Sequence, residues 1–292
     1  MNNNIVVFGS NGQLAKSLRL ISNDYKSYNI FFISIKELNI QNKELLSEYL
    51  INNNINTIIN CMAYTAVDQA EVEKEKADEV NSNFVDFIAK FSKENNFKFI
   101  HISTDYVFNG KTNIPYKEYD KTNPINEYGR TKLKGEQAIL SIAPKNTIII
   151  RTSWLYSIYG ENFVKTIQKL GMQKQEINVI FDQIGTPTYA KDLAEVILNI
   201  LPKISNDKPE IYHYSNEGVA SWYDFANEIV ELLQLECKIN PVETKDFPTL
   251  ASRPNYSVLN KQKIKEKFHI QIPYWRDSLK ECIRQMQKEL NR

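Results

Sequence analysis

The chain has 292 residues and carries 36 Lys and Arg against 35 Asp and Glu, so its formal net charge is +1. A protein that binds nucleic acid or a membrane surface is expected to have a basic excess, and this balance argues against both partners. With 42% hydrophobic residues, the chain is long enough to bury one large core and a smaller lobe.

The chain shows neither a cationic segment followed by an apolar one at its N-terminus nor an apolar run of membrane-spanning length. Its three cysteines are widely separated and odd in number, as expected for reduced thiols. These features predict a cytoplasmic protein without a membrane partner. No pair among His101, His213 and His269 has metal-ligand spacing, so we expect no metal site, and we interpret His101 and His213 as structural.

The first predicted strand, residues 4–8, is a short apolar run that leads into a glycine-containing turn and then a helical pattern. Two glycines at this spacing let the backbone approach a pyrophosphate, which the helix N-terminus would then face. A simple strand-to-helix turn is the alternative. The position between a strand and a helix favours a dinucleotide site. Its candidate residues are Gly9, Asn11, Gly12, Gln13 and Leu14.

The second predicted strand, residues 30–36, ends where an acidic residue would bind the ribose 2′-hydroxyl of NAD. Ser34 stands there instead, with Lys36 nearby. Lack of the acid and presence of a cation favour a 2′-phosphate and hence NADPH, with NADH as the second candidate. An ordinary exposed charge is the other interpretation of Lys36.

Strands and helices then alternate through the first two-thirds of the chain. We predict helices over 44–49, 77–94 and 128–140, and strands over 57–61, 97–102 and 147–151. This rhythm predicts an α/β fold: a Rossmann-type, doubly wound parallel sheet with right-handed crossovers. The loop of residues 60–68, and Thr104 after the fourth strand, would then lie at the edge where such sheets bind ligands.

The pattern loosens beyond Trp154. A helix begins within 160–164, a Gly/Pro loop covers 182–188, helices cover 191–201, 221–233 and 275–290, a strand covers 211–214, and 248–254 is irregular. We therefore predict a dinucleotide-binding Rossmann domain over 1–153, to which 182–215 returns. Residues 154–292 are expected to form mainly a smaller substrate-binding lobe.

Tyr128 and Lys132 are spaced i and i+4 on a predicted helix, so their side chains share one face. A lysine near a tyrosine favours the phenolate and is expected to lower the phenol pKa, which suits proton transfer. The Thr104 hydroxyl would bind the oxygen that gains or loses that proton. This set of residues is typical of a carbonyl reductase or dehydrogenase that has a nicotinamide site elsewhere in the chain, although the same spacing also occurs on solvated helix faces.

Several longer motifs, spread over essentially the whole chain, resemble those of one family. They are Gly9-x-x-Gly12-Gln13-Leu14, Asn60-Cys61-Met62-Ala63-Tyr64-Thr65-Ala66-Val67-Asp68-Gln69-Ala70-Glu71, Ser103-Thr104-Asp105-Tyr106-Val107-Phe108, Tyr128-Gly129-Arg130-Thr131-Lys132, Arg151-Thr152-Ser153-Trp154-Leu155-Tyr156, Asp182-Gln183-x-Gly185-x-Pro187-Thr188 and Arg253-Pro254-x-x-Ser257-x-Leu259. The chain resembles the dTDP-4-dehydrorhamnose reductases, a branch of the extended short-chain dehydrogenase/reductases.

The resemblance implies NAD(P)H-dependent reduction of the C4 ketone of dTDP-4-dehydro-6-deoxy-L-mannose to dTDP-L-rhamnose. Tyr128 would donate the proton, Thr104 would hydrogen-bond the same oxygen, and Lys132 would hold the nicotinamide ribose hydroxyls. The expected partner is a small nucleotide-sugar substrate, and a homodimer is the expected oligomeric state.

The resemblance also implies further contacts. Cofactor contacts would come from Asn39, Ile40, Ala63, Tyr64, Thr65 and Ile102, and substrate contacts from Thr104, Asp105, Tyr106, Trp154 and Arg253. Arg253 would reach a diphosphate or deoxyribose oxygen or, alternatively, cap a loop, and Trp154 could be a core aromatic. Asn81 stands where such reductases place an asparagine that supports the proton relay; an exposed helix asparagine is the equal alternative.

Two other functions stay open at this point. One is a reductase of a different nucleotide-linked 4-keto sugar, because the sequence does not show which sugar face meets the nicotinamide. The other is a non-catalytic binding subunit of the same fold, like the regulatory β subunit of methionine adenosyltransferase. The presence of Thr104, Tyr128 and Lys132 argues against a non-catalytic subunit, since a protein that has lost catalysis has no need to keep them.

Overall fold

The computed structural model describes residues 3–34 and 42–290. In this part of the chain the strands are β1 (Asn3–Phe8), β2 (Tyr28–Ile33), β3 (Thr57–Asn60), β4 (Lys98–Thr104), β5 (Thr147–Thr152), β6 (Leu155–Tyr156), β7 (Glu176–Ile180), β8 (Ile184–Gly185), β9 (Thr188–Tyr189), β10 (Glu210–His213), β11 (Ala220–Ser221) and β12 (Lys238–Val242). The helices are α1 (Gln13–Ile21), α2 (Lys43–Asn52), α3 (Val67–Ala70), α4 (Lys74–Asp78), α5 (Phe84–Glu94), α6 (Glu127–Ile142), α7 (Phe163–Gly171), α8 (Ala190–Ile200), α9 (Trp222–Leu232), α10 (Gln262–Phe268) and α11 (Trp275–Leu290).

A parallel sheet forms the centre of the molecule, and within the described residues its strand order is β10-β5-β4-β3-β1-β2. Alternate residues of each strand face opposite sides of the sheet. Ile5 and Val7 pack against α1 and α8, whereas Val6 and Phe8 pack against α2 and α5. Both faces of the sheet are therefore buried, as parallel sheets require. The predicted α/β fold is confirmed.

The strand order reverses direction at β1, because β2 lies on one side of β1 and β3 on the other. In doubly wound sheets, ligands bind at such a reversal, beyond the carboxyl ends of the strands. The turn after β1 and the loop after β3 meet there. The ends of β4 and β5 deliver residues to the same edge.

Residues 74–94 form a continuous helix that is interrupted by a π-helical turn over Glu79–Asn83. Such turns are rare and occur often at functional sites. This one carries Asn81, whose side chain is fully buried. The interpretation of Asn81 as an exposed helix residue is therefore wrong. Gly135 of α6 packs directly on this turn, and a Cβ at Gly135 would overlap the Asn81 backbone oxygen.

The later part of the chain forms a second hydrophobic core among β7, α7, α9, β12 and α11. Strands β7 and β12 pair in parallel over Glu176–Ile180 and Lys238–Val242. This pair and α10 were not predicted. Pro241 lies within β12, where an edge strand tolerates it because no further strand needs its amide. In the described part of the chain, no helix is long and apolar enough to cross a membrane.

The Gly135→Ala variant tests the close packing of α6 on the π-helical turn. Alanine favours a helix over glycine by about 1 kcal/mol, but overpacking against a fixed backbone costs about 1–3 kcal/mol. We expect a net loss of stability of about 1 kcal/mol, measured by urea unfolding. Gln137→Ala, at an exposed position of the same helix, should stay within about 0.5 kcal/mol. A Gly135→Ala protein as stable as the parent would show that the turn is not tightly packed.

Candidate active site

The turn after β1 can accept only glycine at its first position. Gly9 has φ +85°, and a Cβ there would overlap the backbone of Met62 in the loop after β3. Gly12 then forms the N-cap of α1 in an extended conformation, and no described side chain caps this helix. The first amides of α1 therefore remain available to an anion. This donor set fits the pyrophosphate of a dinucleotide.

A cavity of about 560 Å³ extends from this turn along the carboxyl edge of the sheet. Most of the predicted site residues line it. They are Asn11, Gly12, Gln13, Leu14, Ala63, Thr65, Ile102, Thr104, Asp105, Tyr106, Tyr128, Lys132 and Trp154. The sequence prediction had therefore assembled most of one continuous site from separate motifs.

Other predicted residues stand apart from this cavity. Gly9 and Tyr64 do not line the cavity themselves. Gly9 packs against the backbone of Met62, and Tyr64 lies between the lining residues Ala63 and Thr65. Ser34 is buried directly after β2. The predicted cofactor residues Lys36, Asn39 and Ile40 lie outside the described residues.

Tyr128 lies in the first turn of α6, which begins after the N-cap residue Asn126. Burial raises the pKa of Tyr128 to about 12, and its hydrogen bond with Thr104 offsets only part of that rise. The predicted lowering of this pKa is therefore wrong for the protein alone. The physical reason is that burial disfavours the charged phenolate, while the Lys132 ammonium is directed at the Ile102 carbonyl rather than at the phenol. Tyr128 is consequently protonated throughout the neutral pH range and can donate a proton.

Thr104 and Asp105 form a small polar pair beside the phenol. The Thr104 hydroxyl donates to Oδ1 of Asp105 at 3.0 Å and accepts from the amide of Tyr106. Oδ2 of Asp105 has no hydrogen-bond partner among the described residues, although it is fully buried. Burial raises the pKa of Asp105 to about 7, against hydrogen bonds from Ser257 and Thr104 that lower it. The free oxygen can therefore serve a ligand hydroxyl.

Lys132 is almost completely buried at the base of the cavity. Its Nζ donates to the Ile102 carbonyl at 2.6 Å and lies 3.3 Å from Nε2 of His101. Burial lowers the pKa of Lys132 to about 8, although the charge of the nearby Glu136 carboxylate acts in the opposite direction. Lys132 can therefore exchange its proton near neutral pH.

A buried ion pair lies one helical turn beyond Lys132. The Arg151 guanidinium, at the end of β5, binds both carboxylate oxygens of Glu136 through its Nε and Nη2 atoms at 2.7–3.2 Å. Ser103 at the end of β4 donates to the same carboxylate, and Arg151 also contacts His213 of β10. This network joins α6 to the neighbouring strands.

Asn81 holds the loop after β3 against α6. Its Oδ1 accepts from the amide of Tyr64 at 2.9 Å, and its Nδ2 donates to the Tyr64 carbonyl and to Thr131. The Tyr64 hydroxyl turns away to Glu73. Asn81 therefore fixes the backbone on either side of Ala63 and Thr65, which line the cavity.

Gln13 connects the turn after β1 to the later part of the chain. Its Nε2 donates to the Leu155 carbonyl at 3.2 Å, and its Oε1 accepts from Ser157 and Asn162 at 2.9 Å. The predicted position beside the cofactor pyrophosphate is compatible with these contacts through the Gln13 backbone. Its side chain serves a structural purpose.

Trp154 and Trp222 form the opposite wall of the cavity. Their rings stack at 3.5 Å, and Trp154 adopts φ +47°, a strained conformation for an aromatic residue. A Cβ at Gly185 would overlap the Trp154 ring, so the close approach requires glycine there. Trp222 also lines a second cavity of about 690 Å³, shared with Tyr106. Trp154 lines the cavity and also packs against the core of the later part of the chain, so both interpretations, a substrate contact and a core aromatic, are compatible with its position.

Arg253 lines the second cavity rather than the first. It forms a bidentate ion pair with Asp68 of α3 and donates to the Ala251 carbonyl. Its side chain thus ties the irregular segment before Pro254 to the loop after β3. Both sequence interpretations, a loop cap and a ligand residue, are compatible with this position.

Comparison with known proteins places this geometry in one family. Residues 3–288 match the family described as RmlD substrate binding domain. A dTDP-4-dehydrorhamnose reductase from Aggregatibacter actinomycetemcomitans is 40% identical over 285 residues, which span 94% of this chain and 97% of the relative. The chain belongs to the dTDP-4-dehydrorhamnose reductase family.

Solved structures of the family superpose closely on this chain. The dTDP-4-dehydrorhamnose reductase of Bacillus anthracis, in complex with NADP, is 36% identical, covers 98% of this chain and 100% of its own, and has a TM-score of 0.92. The Clostridium acetobutylicum reductase is also 36% identical with a TM-score of 0.92, over 97% and 99% of the two chains. The predicted family and the prediction of an oxidoreductase are confirmed.

Some residues of the candidate active site were not predicted from the sequence. Among the described residues that line the first cavity, those not predicted are Cys61, Val67, Ser103, Thr152, Ser153, Leu155, Gly160, Glu161 and Trp222. Trp222 follows the capping box formed by Ser221 and Asp224, a signal that marks the start of α9. That signal gives the start of the helix but not the distant ring against which Trp222 stacks.

The Glu136→Gln variant tests the buried ion pair. Removal of one partner leaves the Arg151 charge buried without compensation, which costs about 3–5 kcal/mol. We expect a loss of that size in urea unfolding. The surface pair of Asp86 and Lys90 supplies the control, since Asp86→Asn should change stability by less than about 1 kcal/mol. Equal effects of the two variants would contradict a special contribution from the buried pair.

Proposed function

We propose that this protein uses NADPH to reduce the C4 ketone of dTDP-4-dehydro-6-deoxy-L-mannose to dTDP-L-rhamnose. The observation that carries the proposal is the convergence of Tyr128, Thr104 and Lys132 on one cavity that begins at an uncapped helix N-terminus. The relatives named as dTDP-4-dehydrorhamnose reductases support the substrate. The relative in complex with NADP supports the cofactor.

The bound cofactor would supply a hydride to C4 of the sugar, and the protein supplies the proton. Tyr128 is protonated at neutral pH because burial raises its pKa, so it can donate to the oxygen that becomes an alkoxide. The Thr104 hydroxyl would turn its hydrogen from Oδ1 of Asp105 to that oxygen and stabilise the charge as it forms. Lys132 would hold the nicotinamide ribose and renew the proton of Tyr128.

Groups on the other side of the Tyr128 phenol would orient the substrate. The unpartnered Oδ2 of Asp105 would bind a hydroxyl of the sugar, and the Trp154 ring would pack against an apolar face of it. A carboxylate and an aromatic ring together fix both the position and the tilt of a hexose. Tyr106 completes this end of the site by packing edge-to-face on Tyr128.

The second cavity would hold the nucleoside diphosphate of the substrate. It shares Tyr106 and Trp222 with the first cavity, so a ligand can extend between the two. Lys174 and Arg253 give this cavity cationic groups suited to a diphosphate. Asp68 would have to share Arg253 with that ligand, since the two side chains are paired in the protein.

The Tyr128→Phe variant tests the proton donor. Loss of a general acid should reduce turnover by about 10²–10⁴-fold, while NADPH affinity stays nearly unchanged because the phenyl ring keeps its packing. Turnover is measured as NADPH oxidation with dTDP-4-dehydro-6-deoxy-L-mannose, and affinity by fluorescence titration. NMR of the parent's product identifies the sugar; a product other than dTDP-L-rhamnose would refute the proposed substrate.

Tyr119→Phe is the matched control, because Tyr119 is 78% exposed and lies outside the cavity. It should retain the activity of the parent protein. Simultaneous loss of activity and NADPH binding in Tyr128→Phe would mean that Tyr128 is structural. The assignment of the proton donor would then fail.

The pH dependence of kcat/KM for NADPH should follow Lys132. This parameter reports groups of the free enzyme, and Lys132 loses its charge as the pH rises through about 8. We therefore expect kcat/KM for NADPH to fall above pH 8. Tyr128, with a pKa of about 12, contributes nothing in this range. A flat profile up to pH 10 would contradict control by Lys132.

A further inference from the structure

His101 lies directly behind Lys132, and the reductase mechanism outlined above leaves it without a task. It is the fourth residue of β4 and is fully buried, with Asn60 of β3 on one side and Lys132 of α6 on the other. Nδ1 of His101 lies 3.2 Å from Nδ2 of Asn60, and Nε2 lies 3.3 Å from Nζ of Lys132. Asn60, His101 and Lys132 thus form a continuous buried chain.

The orientation of the Asn60 amide is fixed by the backbone. The amide of Met62 donates to Oδ1 of Asn60 at 3.0 Å, and a backbone N–H can act only as a donor. The Asn60 amide group therefore turns its Nδ2, a second donor, toward His101. A flipped amide would place two donors against each other in a buried site, at the cost of an unsatisfied pair.

This fixed donor determines the tautomer of His101. Burial holds the pKa of His101 well below its ordinary value, and the nearby Lys132 lowers it further, so the ring is neutral. A neutral imidazole has one N–H and one lone pair. When Lys132 is a neutral amine, all these contacts are satisfied only if the lone pair of His101 is on Nδ1, where it accepts from Asn60. Nε2 then carries the hydrogen and points it at Lys132.

A donor that faces an ammonium group finds no lone pair there. The contact becomes a hydrogen bond only when Lys132 is a neutral amine. We propose that His101 is a positioning residue for Lys132, held by Asn60 in the Nε2–H tautomer so that it binds the lone pair exposed when Nζ gives up a proton. The role rests on the proposed reductase, in which Lys132 renews the proton of Tyr128. The proton leaves Nζ, and His101 itself neither gains nor loses one.

Other groups around Lys132 set the limits of this effect. The Ile102 carbonyl accepts from Nζ in either protonation state. The Glu136 carboxylate favours the ammonium, but the Arg151 guanidinium neutralises it. Burial raises the pKa of the Cys61 thiol well above its ordinary value, so Cys61 carries no charge near pH 8. Among the described residues around Nζ of Lys132, His101 is the one whose N–H can bind the neutral amine but not the ammonium.

The tautomer can be measured directly in the unmodified protein. Long-range ¹H–¹⁵N correlation spectra of ¹⁵N-histidine-labelled protein distinguish the two neutral tautomers and the imidazolium. The chain has three histidines, which makes the assignment practical. Above pH 8, where Lys132 is a neutral amine, we expect the Nε2–H form for His101. The Nδ1–H form or an imidazolium at His101 would overturn the proposal.

His213 provides an internal reference of the opposite kind. Its Nε2 faces the Arg151 guanidinium at 3.4 Å, which can only donate, and its Nδ1 faces the Tyr116 carbonyl at 3.1 Å, which can only accept. His213 should therefore show the Nδ1–H form in the same spectrum. His269 is exposed to solvent, unlike the two buried histidines, which separates its signals from theirs.

The effect on Lys132 is tested with His101→Phe, which keeps a planar ring and removes the donor. If the donor favours the neutral amine, the alkaline fall in kcat/KM for NADPH should move upward by about one pH unit. A downward shift or no shift would overturn the proposal. His213→Phe, the matched loss of a buried histidine, should leave the fall near pH 8.

The two proposals fail in different ways. Full turnover by Tyr128→Phe would refute the proton donor without changing the tautomer of His101. A wrong tautomer at His101 would leave the reductase intact. The spectrum of the unmodified protein also remains decisive if His101→Phe does not fold.

Discussion

The buried ion pair of Glu136 and Arg151 is the contact that joins the candidate active site to the central sheet. Helix α6 carries Tyr128, Lys132 and Glu136 at intervals of four residues, so all three share one face. Arg151 at the end of β5 binds the last of them. A buried pair of this kind adds little net stability because desolvation offsets the attraction. It joins α6 to the end of β5 on the helix face that also carries the Tyr128 phenol.

Much of the sheet and most of the site could be predicted from local sequence. Strands such as β1 and β3 are short apolar runs between turn residues, and parallel topology follows from their alternation with helices. The carboxyl ends of those strands converge on one edge, which brought Thr104 and Tyr128 into one predicted site. Strands β7 and β12 escaped prediction because they are partly exposed, and Pro241 argues against a strand in sequence.

Features that depend on distant contacts could not be predicted. The stacking of Trp222 on Trp154 joins segments far apart in sequence, and no local pattern specifies it. The Tyr128 pKa is a similar case. Spacing on the helix suggested that Lys132 would lower it, whereas the direction is decided by how deeply the phenol is buried. The Lys132 ammonium donates instead to the Ile102 carbonyl, which belongs to β4.

Gln13 has a consequence for how ligands affect one another. Its backbone belongs to the uncapped N-terminus of α1, and its side-chain amide is hydrogen-bonded to Leu155, Ser157 and Asn162. A displacement of that terminus must therefore strain or carry the segment that follows Trp154. Thermodynamic linkage makes such coupling reciprocal. A ligand that shifts this terminus and thereby alters the affinity for a second ligand beside Trp154 is affected by that second ligand by the same factor.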